Sequence, residues 1–84
     1  MNYTVILSRS ARKQLERFSG EEEKRILNKL SELETNPRLS SCKKLKNRDG
    51  WRIRVGDYRV IYEIHDKVLQ VIVIAVGHRR EIYR

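Results

Sequence analysis

Two hydrophobic rhythms divide the chain. Tyr3-Thr4-Val5-Ile6-Leu7 is short, β-branched and aromatic, which predicts a strand. Ala11, Leu15 and Phe18 then fall at i, i+4 and i+7, the spacing of one helix face. Ser8 or Ser10 is placed to cap that helix, and Ser19-Gly20 breaks it. A second helix is expected next. Ser19 with Glu22 fits a capping box, and Glu21, Glu22 and Glu23 suit the positive end of a helix dipole. Ile26, Leu27, Leu30 and Leu33 form its apolar stripe, and Asn36-Pro37 ends it. Residues 38–50 are polar and basic, with a short strand expected at Lys44-Leu45-Lys46.

The rhythm then changes to period two. Trp51-Arg52-Ile53-Arg54-Val55 alternates, Gly56-Asp57 supplies a two-residue turn with glycine first, and Tyr58-Arg59-Val60-Ile61-Tyr62-Glu63-Ile64 returns. That loop pairs Val55 with Tyr58, Arg54 with Arg59 and Arg52 with Ile61. Alternation therefore sets Trp51, Ile53, Val55, Tyr58, Val60 and Tyr62 on one face, where core packing is expected, and Arg52, Arg54 and Arg59 on the other. After a second turn near His65-Asp66-Lys67, Val68 to Val76 predicts a central strand buried on both faces. Gly77-His78-Arg79-Arg80-Glu81 is expected to leave it. The fold class that follows is α+β: an N-terminal strand, two helices, then a three-strand antiparallel meander forming one sheet with helices on one face. At 84 residues, a single domain spanning 1–84 is expected.

Charge sharpens this picture. The net charge is +8, and it is unevenly spread. Residues 1–37 carry seven basic and six acidic side chains, whereas residues 38–84 carry twelve and five. A basic surface of this kind attracts phosphate whatever the nucleic-acid sequence. Arg54 opposite Arg59 is a like-charge pair that costs a few tenths to ~1 kcal/mol unless an anion fills the gap. Guanidinium groups match phosphate oxygens in geometry and charge.

Several classes are disfavoured. Cys42 is the single cysteine, so no internal disulfide or zinc cluster is expected, and it reads as a small semi-buried residue. No carboxylates stand at metal-ligand spacing, and neither a metal nor any other cofactor is expected. No apolar run approaches the ~20 residues of a membrane span, and no secretory leader is apparent, so a cytoplasmic location without membrane association is expected.

The run Trp51-Arg52-Ile53-Arg54-Val55-Gly56-Asp57-Tyr58-Arg59-Val60-Ile61-Tyr62, followed after a strand by Val76-Gly77-His78-Arg79-Arg80-Glu81-Ile82-Tyr83, resembles the RelE/ParE toxin superfamily, nearer its RelE branch. The resemblance covers the chain in length and element order and is sharpest over the last third. It implies the toxin of a type II toxin–antitoxin pair, an endoribonuclease that cuts messenger RNA in the ribosomal A site and so stops translation. Carried over residue by residue, it implies Arg59, Arg79 and Tyr83 as catalytic residues. Arg52 and Arg54 would hold phosphate, and Lys44, Lys46 and Arg80 are added to them as basic neighbours. The partners it implies are a RelB-like antitoxin, messenger RNA and the 30S subunit.

Two departures bear on mechanism. The family often has lysine where this chain has Arg52 and Arg54, and arginine does not give up its proton in practice. These residues therefore suit charge stabilisation, and the general base is open between Tyr83 and His78, the latter as a possible acid/base group near neutrality. The sequence given runs one residue past Tyr83, and no C-terminal helix is expected after it. The expected chemistry is metal-free attack by the 2′-OH, leaving a cyclic phosphate or 3′-phosphate end. The alternative is a ParE-like toxin that inhibits DNA gyrase through protein contact; that branch tends to lack the full basic and tyrosine set.

Overall fold

The computed structural model describes residues 2–46 and 48–78. Strand β1 (Thr4–Leu7) leads into helix α1 (Arg9–Leu15) and helix α2 (Gly20–Thr35). Four strands follow: β2 (Lys43–Lys44), β3 (Trp51–Val55), β4 (Tyr58–His65) and β5 (Gln70–His78). They form one mixed five-stranded sheet in the order β1-β5-β4-β3-β2. The α+β class and the antiparallel meander agree with the sequence reading. The sheet is wider than expected, because β1 adds in parallel to β5, pairing Thr4 with Gln70 through Leu7 with Val73, and β2 adds outside β3.

Both helices pack on one face. Ala11, Leu15, Ile26, Leu30 and Leu33 meet Ile53, Val55, Val60, Tyr62, Val71, Val73 and Val76 in a single buried cluster. Leu27, expected in the helical stripe, is 45% exposed. Ser8 caps α1, its hydroxyl accepting from the Ala11 amide at 3.0 Å. Ser19 occupies the N-cap of α2 but makes no side-chain capping bond, so the expected capping box is not formed. Glu22 instead accepts the Tyr58 hydroxyl, which ties α2 to the start of β4.

The β3–β4 hairpin has the expected register, with Val55 opposite Tyr58, Arg54 opposite Arg59 and Arg52 opposite Ile61. Gly56 holds φ +61°, as the first central position of a type II′ turn demands, and that region strains any residue with a Cβ. Gly56→Ala is expected to lower stability by about 1–2 kcal/mol. A lower urea midpoint at unchanged slope is the readout.

β5 differs from expectation in extent and parity. It begins at Gln70, because Asp66–Val68 forms a 3-10 turn, and it continues through Gly77 and His78 instead of ending at Val76. It is not buried on both faces along most of its length: Val71, Val73 and Val76 are buried toward the helices, whereas Ile72, Ile74 and Ala75 are only partly covered and on the outer face only Gly77 is buried among the described residues of the strand. A bulge sits between the Ile61–Ala75 and Tyr62–Val73 pairs. The extra residue, Ile74, lets both Val73 and Val76 face the core. Past the end of β1, the Val76 amide donates to Gln14 Oε1 of α1 at 2.7 Å, so a side chain replaces the missing strand.

Candidate functional site

The sheet face turned away from the helices carries the charge. Strand alternation sets Arg52, Arg54 and Arg59 there, with Arg54 and Arg59 directly opposite each other. Arg54 is exposed, and its Nε donates to the Gly56 carbonyl at 2.9 Å, which draws its guanidinium toward the hairpin turn. Arg59 is half-buried. Its neighbour across on β5 is Gly77, and the next such pair is Ile61 with Ala75. Gly77 is buried there, and so is the Nε of Arg59, so this end of the face is covered.

β2 extends this face by one cation, but not the one expected. The strand covers Lys43–Lys44, one residue earlier than Lys44-Leu45-Lys46, and Lys43 lies opposite Arg52. Lys44 lies opposite Trp51 and belongs to the other face, with its Nζ 5.4 Å from the Trp51 ring centroid. Lys46 lies beyond β2 in an exposed bend, where no strand sets its direction. A slip of one residue in a two-residue strand exchanges the faces of its side chains. The parity of Arg52 was the available signal, and it pointed to Lys43 only once the partner residue was known.

His78 is also separated from the arginines. It pairs with Tyr58 and so turns toward the helices, its ring edge-on to Tyr58 with centroids 5.8 Å apart. Tyr58 in turn meets Phe18 at 4.7 Å. His78 borders a cavity of about 350 Å³ with Gln14, Arg17, Phe18 and Val76. An acid/base role for His78 on the arginine face conflicts with this strand parity. Arg79, Arg80 and Tyr83 lie outside the described residues. Among the described residues, no three His, Cys, Asp or Glu side chains gather where they could hold a metal ion.

A second charged cluster is structural. Arg38 grips Asp66 with two bonds of 3.1 and 2.8 Å, and the Tyr3 hydroxyl donates to the same carboxylate at 2.6 Å. It links the entry to β1, the segment after α2 and the β4–β5 turn. The Arg38 hydrogen bonds, followed by that of Tyr3, hold the Asp66 carboxyl down from 3.8 to about 2. A depressed carboxyl contributes stability above its ordinary value and loses it as pH falls through the folded one. The contribution should therefore be intact at pH 5 and vanish near pH 2. Asp66→Asn is expected to flatten the stability profile across that window, measured by urea unfolding at each pH. Arg38 also lies 5.6 Å from the Trp51 ring centroid, so Trp51 is flanked by cations and packs on the helix side as expected.

Comparison with known proteins identifies the family. Residues 5–83 match the family model of the ParE toxin of the type II toxin–antitoxin system parDE. The chain belongs to the RelE/ParE toxin superfamily. This toxin also resembles solved structures throughout its length. A chain of the archaeal RelE–RelB complex from Pyrococcus horikoshii is 28% identical, with TM-score 0.83 over 94% of the toxin and 97% of that chain. The isolated E. coli RelE toxin is 27% identical, with TM-score 0.80 over 96% and 90%. The RelB–RelE complex from Methanococcus jannaschii gives 29% identity and TM-score 0.74 over 93% and 94%. No curated protein sequence matches the toxin. Among the described residues, no helix is long and apolar enough to cross a membrane.

Proposed function

We propose that this toxin is an endoribonuclease that cuts messenger RNA in the ribosomal A site, without a metal or other cofactor, and is neutralised by a RelB-like antitoxin. The observation that carries this reading is the direct opposition of Arg54 and Arg59 on the open sheet face, with Arg52 two positions along the same strand. Three cationic side chains set by register on one sheet face concentrate positive potential there, which attracts a polyanion. A phosphodiester whose negative charge is concentrated in a pentacoordinate transition state is matched by such a surface in charge and in hydrogen-bonding geometry. Likeness to RelE structures, two of them complexes with RelB, supports both the activity and the partner.

In this reading the 2′-OH of the substrate attacks the adjacent phosphorus and the bond to the 5′-oxygen breaks. Arg59 and Arg79 stabilise the charge that develops on the phosphoryl oxygens. Arg52, Arg54 and Arg80 hold the backbone, and Tyr83 carries the proton given up by the 2′-OH to the departing 5′-oxygen. Incubating the purified toxin with translating ribosomes and mapping RNA ends tests the reading. Cleavage within the A-site codon, with cyclic phosphate or 3′-phosphate ends, is the expected result. A second reading draws on the match to the ParE model: inhibition of DNA gyrase by protein contact. Gyrase-dependent DNA breaks with intact messenger RNA would establish it instead.

A further inference from the structure

We infer that Lys43 and Arg52 form a second phosphate subsite, which holds the backbone one nucleotide from the bond that is cut. The inference rests on the nuclease reading. Register carries it. Lys43 stands opposite Arg52 across β2 and β3, and Arg54 stands opposite Arg59 across β3 and β4. All four residues share the open face. Neighbouring strands lie about 4.8 Å apart and residues of one face repeat about every 6.8 Å along a strand, so the two cation pairs lie on a diagonal across three strands. Arg54 bends toward the hairpin turn through its bond to the Gly56 carbonyl, which draws its guanidinium away from Arg52. One step of an unstacked single strand covers a comparable distance, and a backbone laid along the diagonal meets one cation pair and then the other.

Lys43 is exposed at the sheet edge. A lysine there also deters pairing by a foreign strand, and that role involves no phosphate. A cycle between enzyme and substrate separates the two. Ribosome-bound messenger RNA is prepared with one uncharged methylphosphonate linkage, on either the 5′ or the 3′ side of the scissile phosphate. Single-turnover cleavage is then compared for the unaltered toxin, Lys43→Ala and Lys43→Arg. Lys24→Ala, on α2, controls for the loss of one charge.

Loss of one charge-assisted contact predicts cleavage about tenfold slower for Lys43→Ala on native RNA. The unaltered toxin should lose a similar factor on one of the two modified RNAs, and Lys43→Ala should lose nothing further on that RNA. Lys43→Arg should retain most of the rate and Lys24→Ala all of it. Unchanged cleavage by Lys43→Ala, or losses that multiply on both modified RNAs, overturns the subsite while leaving the nuclease intact. Failure of the unaltered toxin to cut native RNA overturns the nuclease reading itself.

Discussion

Arg59→Ala should lower the single-turnover rate of messenger RNA cleavage on ribosomes by about a hundred- to a thousandfold, the usual cost of removing one preorganised donor from a developing oxyanion. Arg59 is chosen over Arg52 and Arg54 for two reasons. It is half-buried where Arg54 is exposed, so its position is better fixed and less screened. It emerges from β4, flanked on both sides within the sheet, whereas β3 has only the two residues of β2 outside it. Binding to the ribosome should change far less than the rate, because the contact is strongest in the transition state. Cleavage within threefold of the unaltered toxin would remove Arg59 from the reaction.

Tyr62→Ala should cost about 3–5 kcal/mol, the largest effect on stability expected from a single side chain here. Tyr62 is fully buried, faces both helices from β4 and donates its hydroxyl to the Pro37 carbonyl at 2.8 Å. That bond pins the turn after α2 to the sheet. Burial, with the nearby Cys42 thiol second, pushes the hydroxyl's pKa well above its ordinary value, so it remains a donor throughout the accessible pH range. A domain of this size has a total stability of roughly 4–13 kcal/mol, so the alanine variant should lose from about a quarter to nearly all of it. Tyr62→Phe isolates the hydrogen bond. It leaves the Pro37 carbonyl unsatisfied and should cost about 1–3 kcal/mol, or roughly 5–20 °C in Tm. Equal melting temperatures for Tyr62→Phe and the unaltered toxin would show that the hydroxyl contributes nothing.

Much of this architecture was legible from local pattern. The hairpin announced itself because period-two alternation flanks a two-residue turn, and loop length then fixes every cross-strand pair. The arginine face followed directly. Helix limits were legible at Ser8 and Asn36-Pro37, where capping chemistry is local. What escaped depended on distant partners. Nothing in Tyr3 to Leu7 says that it will lie beside Gln70 to Val73. Val71 to Val76 is apolar throughout, so it carries no mark of the bulge that resets its parity. Gly77 suggested a strand end, yet β5 runs through it to His78. Glu22 looked like a capping partner and is instead taken by Tyr58, a competition that only tertiary structure reveals. Lys43 and Lys44 differ in sequence by one position and in environment by the thickness of the sheet.

The parallel pairing of β1 with β5 also orders events in time. The first strand made must wait for the last described one, and β5 lies between β1 and β4. A nascent chain elongating at roughly 5–20 residues per second therefore remains without its finished sheet for about 4–16 seconds, until residue 78 is added. On the nuclease reading, connectivity thereby delays attack on the ribosome that is making it. Truncated or stalled products lacking β5 should be inert for the same reason.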